Sequence, residues 1–302
     1  MIKRLLVLAL WVYGSGTVRA QVTDAASSQP MAVMQRETAE PVPPRIEFLP
    51  NGHLFDPILL DPIEAQTYAS VLPFYWTNAE RYPGILVPFA FGLRKPLLRW
   101  NKGPERASEL SFDVGSFTQF EIYQEPSGRQ RRQLVNTDYR VSILFNIRRG
   151  IHRWRIRGYH LSSHLGDDYL IRNQISYYLP NSVNYEQIDV TYSQERNGLR
   201  RYVGVGVGLR QPVERKRLSG QAGFYYRKHS EAVVRLVGGV DLKFWQQTNF
   251  RPGIKTGLGL ELGRSTHPLT LLLESYHGFR PYSLYERQGT NWVGVGLYFN
   301  PI

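Results

Sequence analysis

From about Tyr68 to the C-terminus the chain repeats with a period of two, and this limits the fold more than any other feature. A strand turns successive side chains to opposite faces, so such a repeat marks β-strands with one apolar face. Val203, Val205, Val207 and Leu209 alternate with Tyr202, Gly204, Gly206 and Gly208. Tyr139, Val141, Ile143, Phe145 and Ile147 oppose Arg140, Ser142, Asn146 and Arg148. Val293, Val295, Leu297 and Phe299 oppose Gly294, Gly296 and Tyr298. The alternation predicts twelve strands, over 67–76, 84–94, 108–123, 137–149, 151–163, 184–195, 199–210, 218–228, 234–247, 252–263, 269–279 and 289–300. Strands of about ten residues suit a tilted bilayer crossing, and an even count returns the chain to its starting side. The fold class read from this pattern is all-β, an antiparallel transmembrane β-barrel of about twelve strands over residues 65–302. With the first strand running outward, "RRGI" and "ERNG" become tight inner turns, while "YQEPSGRQRRQLVN" and "HLGDDYLIRNQISYYLPNSV" become long outer loops. "LRKPLLRWNKGPERAS" breaks that rule as a long inner connection.

The N-terminus sets the compartment. Lys3 and Arg4 precede an apolar run from Leu5 to Tyr13, and Val18-Arg19-Ala20 fits a cleavage site. Residues 1–20 therefore read as a secretory signal peptide. The run is too short to span a membrane as a helix, and no later stretch offers eighteen consecutive apolar residues. The chain has no cysteine, which excludes a disulfide framework and fits a bacterial envelope. Residues 21–64 are rich in Pro, Ser and Ala without periodicity and read as an irregular periplasmic leader. "HLFDPILLDP" within it has no docking place that the sequence reveals. Export to the bacterial outer membrane disfavours nucleic acid as a partner, despite a formal charge of +12. It points instead to membrane lipids, to lipopolysaccharide (which the basic 128–133 stretch suits) and, during biogenesis, to barrel-insertion machinery.

A barrel of twelve strands is narrow, so its lumen holds either a packed polar network or a thin water path. The predicted inward face carries Asp113, Glu121, Arg140, Arg148, Asp189, Arg235, Asp241, Lys243, Lys255, Glu261 and Glu274. Arg153, Arg155 and Arg157 add one row of like charge, which requires carboxylates opposite or an anion between them. The first functional reading is an envelope barrel, structural or a narrow channel.

The same parity turns His160 and Ser162 outward, to lipid, near the outer end of their strand. Polar groups facing lipid are costly unless they lie at the interface or have a task. Side chains at i and i+2 lie roughly 7 Å apart at Cα, close enough for an imidazole to reach a hydroxyl. A Ser–His pair is the minimal activated nucleophile when a third group orients the ring.

Within "GYHLSSHLG", His160-Leu161-Ser162 resembles the His-x-Ser motif of outer-membrane phospholipase A and of the outer-membrane lipid A 3-O-deacylase. Those families place the pair on the outward wall of a small barrel, against acyl esters. The resemblance implies a lipid acyl-ester hydrolase, with Ser162 as nucleophile and His160 as base. It also implies an Asn or Glu on the next strand as third residue, for which Asn173 or a nearby acid is the candidate. Ser163 stands where those families carry Asn. The phospholipase family uses calcium, though not through residues matching Asp167 and Asp168; these two carboxylates are the candidate calcium ligands here. Over nearly the whole mature chain, "NGHLFDPILLDP", "WRIRGYHLSSHLGDDYL", "GGVDLKFWQQTNFRPGIKTGLGLEL" and "LLLESYHGFRPYSLYER" resemble family 1207 of the domains of unknown function, exported bacterial barrels with no established activity.

Overall fold

The computed structural model describes residues 45–175, 183–210, 215–264, 268–282 and 284–299. The expected signal peptide and the expected leader up to residue 44 lie outside these. In chain order the strands are β1 (Arg45–Phe48), β2 (Thr67–Thr77), β3 (Glu80–Arg81), β4 (Ile85–Asn101), β5 (Arg106–Gln124), β6 (Gln130–Arg149) and β7 (His152–Leu165). There follow β8 (Asn184–Arg196), β9 (Leu199–Gly208), β10 (Leu218–Arg227), β11 (Val234–Trp245), β12 (Gly253–Leu262), β13 (Leu269–Phe279) and β14 (Gly289–Phe299). A short helix α1 (Asp167–Arg172) follows β7. Each strand from β4 to β14 pairs antiparallel with its sequence neighbour. β14 then pairs with β2 from Thr290↔Thr77 to Phe299↔Thr67, and β2 pairs with β4 through Tyr68↔Ala90. The sheet closes on itself as a twelve-stranded antiparallel barrel, which leaves no unpaired sheet edge to satisfy. Among the described residues no helix is long and apolar enough to cross a membrane.

The twelve expected strands are all present, and their faces follow the alternation. Val141, Ile143, Val203, Val205, Leu258 and Leu273 are exposed on the outer wall, while Arg140, Arg155, Arg157 and Tyr298 are buried in the lumen. Two connections differ from expectation. β4 runs on to Asn101 and β5 starts at Arg106, so the anomalous inner connection is a tight turn. Arg94↔Asp113 and Arg99↔Glu109 face each other across that hairpin, and Arg99 Nη2 lies 2.6 Å from Glu109 Oε2. These pairs extend the ladder past the Pro96/Leu98 bulge that blurs the period. β5 and β6 likewise run to Gln124 and from Gln130, which shortens that outer loop to a turn. The barrel thus has a turn end, with 102–105, 150–151 and 197–198, and a loop end, where the connections after β7, β9 and β13 leave the wall.

The N-terminal segment completes the interior. β1 pairs with the end of β4, Arg45↔Asn101 to Phe48↔Leu98. The chain then turns inward, with Leu49 and Gly52 at positive φ. Residues 54–66 carry no strand and fill the lumen as a re-entrant plug before β2 begins. Leu54, Phe55, Ile58, Leu60 and Ile63 are buried there, and so are Asp61 and Glu64. Burying each apolar side chain contributes about 1.5–3 kcal/mol. The wall makes room: a Cβ on Gly92 would stand 2.2 Å from the Gln66 amide nitrogen. The part of the leader that the sequence left without a docking place is the core of the barrel.

Candidate functional site

β7 presents ionisable groups on both faces. On the inner face Arg155 and Arg157 are fully buried, with Arg153 nearer the turn end. Their carboxylates come mostly from the plug. Glu64 Oε1 lies 2.5 Å from Arg155 Nη1 and 2.5 Å from Arg94 Nη2, and Glu64 Oε2 lies 3.2 Å from Arg157 Nη1. Arg157 also meets Asp189 at 2.7 Å, Arg94 meets Asp113 at 3.1 Å, and Arg153 meets Asp56 at 2.6 Å. Arg140 donates to the Ile63 carbonyl oxygen. On the far side Lys243 holds Asp61 at 2.6 Å. Burial alone would raise the pKa of Glu64, but Arg155, Arg94, Arg157 and Arg140 outweigh it and hold the carboxyl well below the usual carboxylate range. The like-charged row is therefore neutralised by chain that precedes the barrel. At the turn end the lumen widens to a cavity of about 880 Å³ bordered by Asp56, Arg200, Arg227 and Glu261. Past the plug, a cavity at the loop end bordered by Arg215, Arg251 and Glu286 holds about 30 Å³.

On the outer face His160 and Ser162 point away from the lumen, as the parity requires. The register places His160 between Val141 of β6 and Glu186 of β8, and Ser162 between Tyr139 and Asn184. His160 Nδ1 lies 2.9 Å from Glu186 Oε1. Glu186 Oε2 is 3.2 Å from Arg210 Nε. The side chains of His160, Glu186 and Arg210 are 47 %, 40 % and 37 % exposed, so the cluster is reachable from outside. With an ionised Glu186, a neutral imidazole keeps its proton on Nδ1 and leaves Nε2 as the basic lone pair. Among the described residues no hydrogen bond joins His160 to Ser162, so the structure brings base and carboxylate together but not base and hydroxyl.

Asn173, the expected third residue, lies elsewhere: it caps the C-terminus of α1, and its Nδ2 donates to the Tyr169 carbonyl oxygen at 2.8 Å. The carboxylate beside His160 is Glu186, on the next strand. Asp167 and Asp168 occupy the first turn of α1, where carboxylates offset the helix dipole. Among the described residues no three His, Asp or Glu gather as a metal-binding group.

Three solved structures share this architecture. Outer membrane phospholipase A from Escherichia coli superposes with a TM-score of 0.53 at 16 % identity, covering 83 % of this chain and 95 % of that one. An active-site mutant of the same Escherichia coli protein, at pH 6.1, gives 0.53 at 15 % identity over the same shares. The Salmonella typhi phospholipase dimer with bound calcium gives 0.52 at 15 % identity, covering 78 % and 90 %. At such identities the likeness is one of fold. No curated protein matches the sequence. A family model matches residues 14–300, nearly the entire length, and the chain belongs to that family, described as "Protein of unknown function (DUF1207)".

Proposed function

We propose that this protein is an integral barrel of the bacterial outer membrane, closed by its own N-terminal plug and not an open channel. The apolar outer wall and the likeness to outer-membrane phospholipase barrels support the location. The observation that carries the closed lumen is Glu64, one buried carboxylate gripped by Arg94, Arg155 and Arg157. Removing one partner of a buried ion pair costs about 3–5 kcal/mol, so the plug is not displaced by thermal motion. Single-channel recording in planar bilayers tests this. The purified barrel is expected to be silent, and steady conductance from the wild-type protein would refute closure.

A second reading is carried by the contact between His160 and Glu186. It makes the outer wall a lipid acyl-ester hydrolase. Glu186 orients the ring through Nδ1, and Nε2 accepts the Ser162 Oγ proton as the oxygen attacks an ester carbonyl. The same ring then returns the proton to the leaving alcohol, and water repeats the cycle on the acyl-serine. The half-exposed position of the cluster on the outer wall suits an acyl chain that stays in the bilayer. Hydrolysis of phospholipid and of lipid A esters in detergent, with and without calcium, is measured for wild type and Ser162→Ala. Activity lost in Ser162→Ala supports the reading, and equal rates remove Ser162 from consideration.

A further inference from the structure

Towards the turn end, the outer face of β4 to β7 changes character row by row. One cross-strand row is apolar, with Leu98, Leu110, Phe145 and Ile156 in register. The next row nearer the turns is Trp100, Ser108, Ile147 and Trp154. The last row is Arg106, Arg149 and His152. His152 Nδ1 lies 2.6 Å from Tyr192 Oη, so that ring is held on the wall. The two arginines are not. Both are exposed, and as directly opposed residues their side chains leave the sheet roughly 5 Å apart. Lys102 is exposed beside them, and its amide donates to the Arg106 carbonyl oxygen at 2.8 Å.

Like charges placed directly opposite each other repel. Inside the barrel the same arrangement is answered: Arg148 opposes Arg153, and Arg153 meets Asp56 at 2.6 Å and Glu195 at 3.4 Å. Outside, among the described residues, no carboxylate pairs with Arg106, Arg149 or Lys102. Glu105, exposed in the adjoining turn, joins none of them. The far side of the turn end does not repeat the pattern. There the outer face of β11 to β14 ends on Val234, Leu262, Leu269 and Phe299. The unanswered cations therefore occupy one sector of the wall, next to a row that carries two tryptophans.

We propose that this sector binds an anionic phospholipid of the leaflet at the turn end. Arg106 and Arg149 share its phosphodiester, and its acyl chains lie on the strip between Trp100 and Trp154. A phosphate oxygen set between two guanidinium forks removes a repulsion that neither strand can remove. Tryptophan suits the level where acyl chains give way to headgroups, and here the cations stand one row beyond it. Ile147 and Phe145 then floor the strip for the chains. A net-negative headgroup is favoured over a zwitterionic one, because three cations leave a positive balance that a single phosphodiester does not exhaust. The inference rests on the outer-membrane reading, since it needs a bilayer against the wall, and it is independent of any hydrolysis at His160.

A chain without cysteine allows a reporter at one chosen place. The full-length protein with Ile147→Cys is labelled with a fluorophore and reconstituted in phosphatidylcholine vesicles. The vesicles carry a small share of nitroxide-labelled phosphatidylglycerol or nitroxide-labelled phosphatidylcholine. Leu271→Cys, on the far wall near the turn-end start of β13, is the comparison. Phosphatidylglycerol is expected to quench the Ile147→Cys label about fivefold more effectively than phosphatidylcholine, and the two are expected to quench the Leu271→Cys label equally. Arg106→Gln combined with Arg149→Gln should bring the ratio at Ile147→Cys to about one. Arg149→Glu, which sets a carboxylate opposite Arg106, should do the same with a denaturation midpoint at or above that of the parent. Equal quenching by the two lipids at Ile147→Cys, or a preference that survives these substitutions, overturns the lipid site alone. Quenching by neither lipid at either position overturns the bilayer location and the lipid site with it.

Discussion

The two faces of β7 hold ionisable groups away from bulk water in opposite ways. Inside, Arg155 and Arg157 are buried and matched by carboxylates, one of them brought from a segment that precedes the barrel. Outside, His160 is half exposed, is matched by a single carboxylate from the neighbouring strand, and has Ser162 beside it without a hydrogen bond. A saturated network holds position. An unsaturated one keeps a basic nitrogen and a hydroxyl available. The comparison teaches that the described charge inside this barrel is mostly paired, while the wall leaves a basic nitrogen and a hydroxyl unspent.

Substitutions on the two faces should therefore separate. Ser162→Ala is expected to take ester hydrolysis to background while leaving the denaturation midpoint within about 0.5 kcal/mol of wild type, since it removes no paired group. A midpoint that falls together with activity would break the contrast. Glu64→Gln should do the reverse. Among the described residues it leaves Arg155 without a carboxylate partner, over the ring of Phe55 at 4.6 Å, while Arg94 and Arg157 keep Asp113 and Asp189. A loss of about 3–5 kcal/mol in denaturant titration, with conductance appearing in bilayers, is the expected result.

The same carboxylate sets a pH dependence. Its pKa is held below the unfolded value of about 4.3, so its contribution is complete above that pH. The contribution is lost as pH falls through the depressed folded value. Conductance should therefore stay absent down to about pH 4.3 and appear only in stronger acid. On the outer face, Glu186→Gln should lower hydrolysis by about 100-fold without a change in conductance, because the ring loses its orienting carboxylate. The smallest effect belongs to Arg210→Gln. Its pair with Glu186 is more than a third exposed, and less than about 1 kcal/mol in either stability or activation is expected.

Much of this was legible in the sequence. A period of two with one apolar face fixes which side chains leave the lumen, so the wall positions of Arg155, Arg157, His160 and Ser162 followed from parity alone. Glu186 was legible in principle. Pairing Arg157 with Asp189 by charge sets the β7–β8 register and puts His160 opposite Glu186, as found. The long connection between β7 and β8 hides that register, because no tight turn fixes it, and the resemblance to the lipid hydrolases alone does not single out Glu186. The plug was not legible. Its residues have no period because they bond to the wall and not to a strand. The clue was indirect, a lumen whose predicted cations outnumber its carboxylates, next to a segment carrying Asp56, Asp61 and Glu64. The end of the β4–β5 hairpin is not legible, because Pro96 and the adjacent Leu97 and Leu98 interrupt alternation where a bulge absorbs the irregularity.

The closed lumen can be tested directly because the chain has no cysteine of its own. Ile63, 2 % exposed beside Glu64, is changed to cysteine and treated with a water-soluble maleimide in intact outer membranes. The plug predicts no labelling of Ile63→Cys in the wild-type background, and labelling once Glu64→Gln is added. Rapid labelling of Ile63→Cys with Glu64 intact would contradict it.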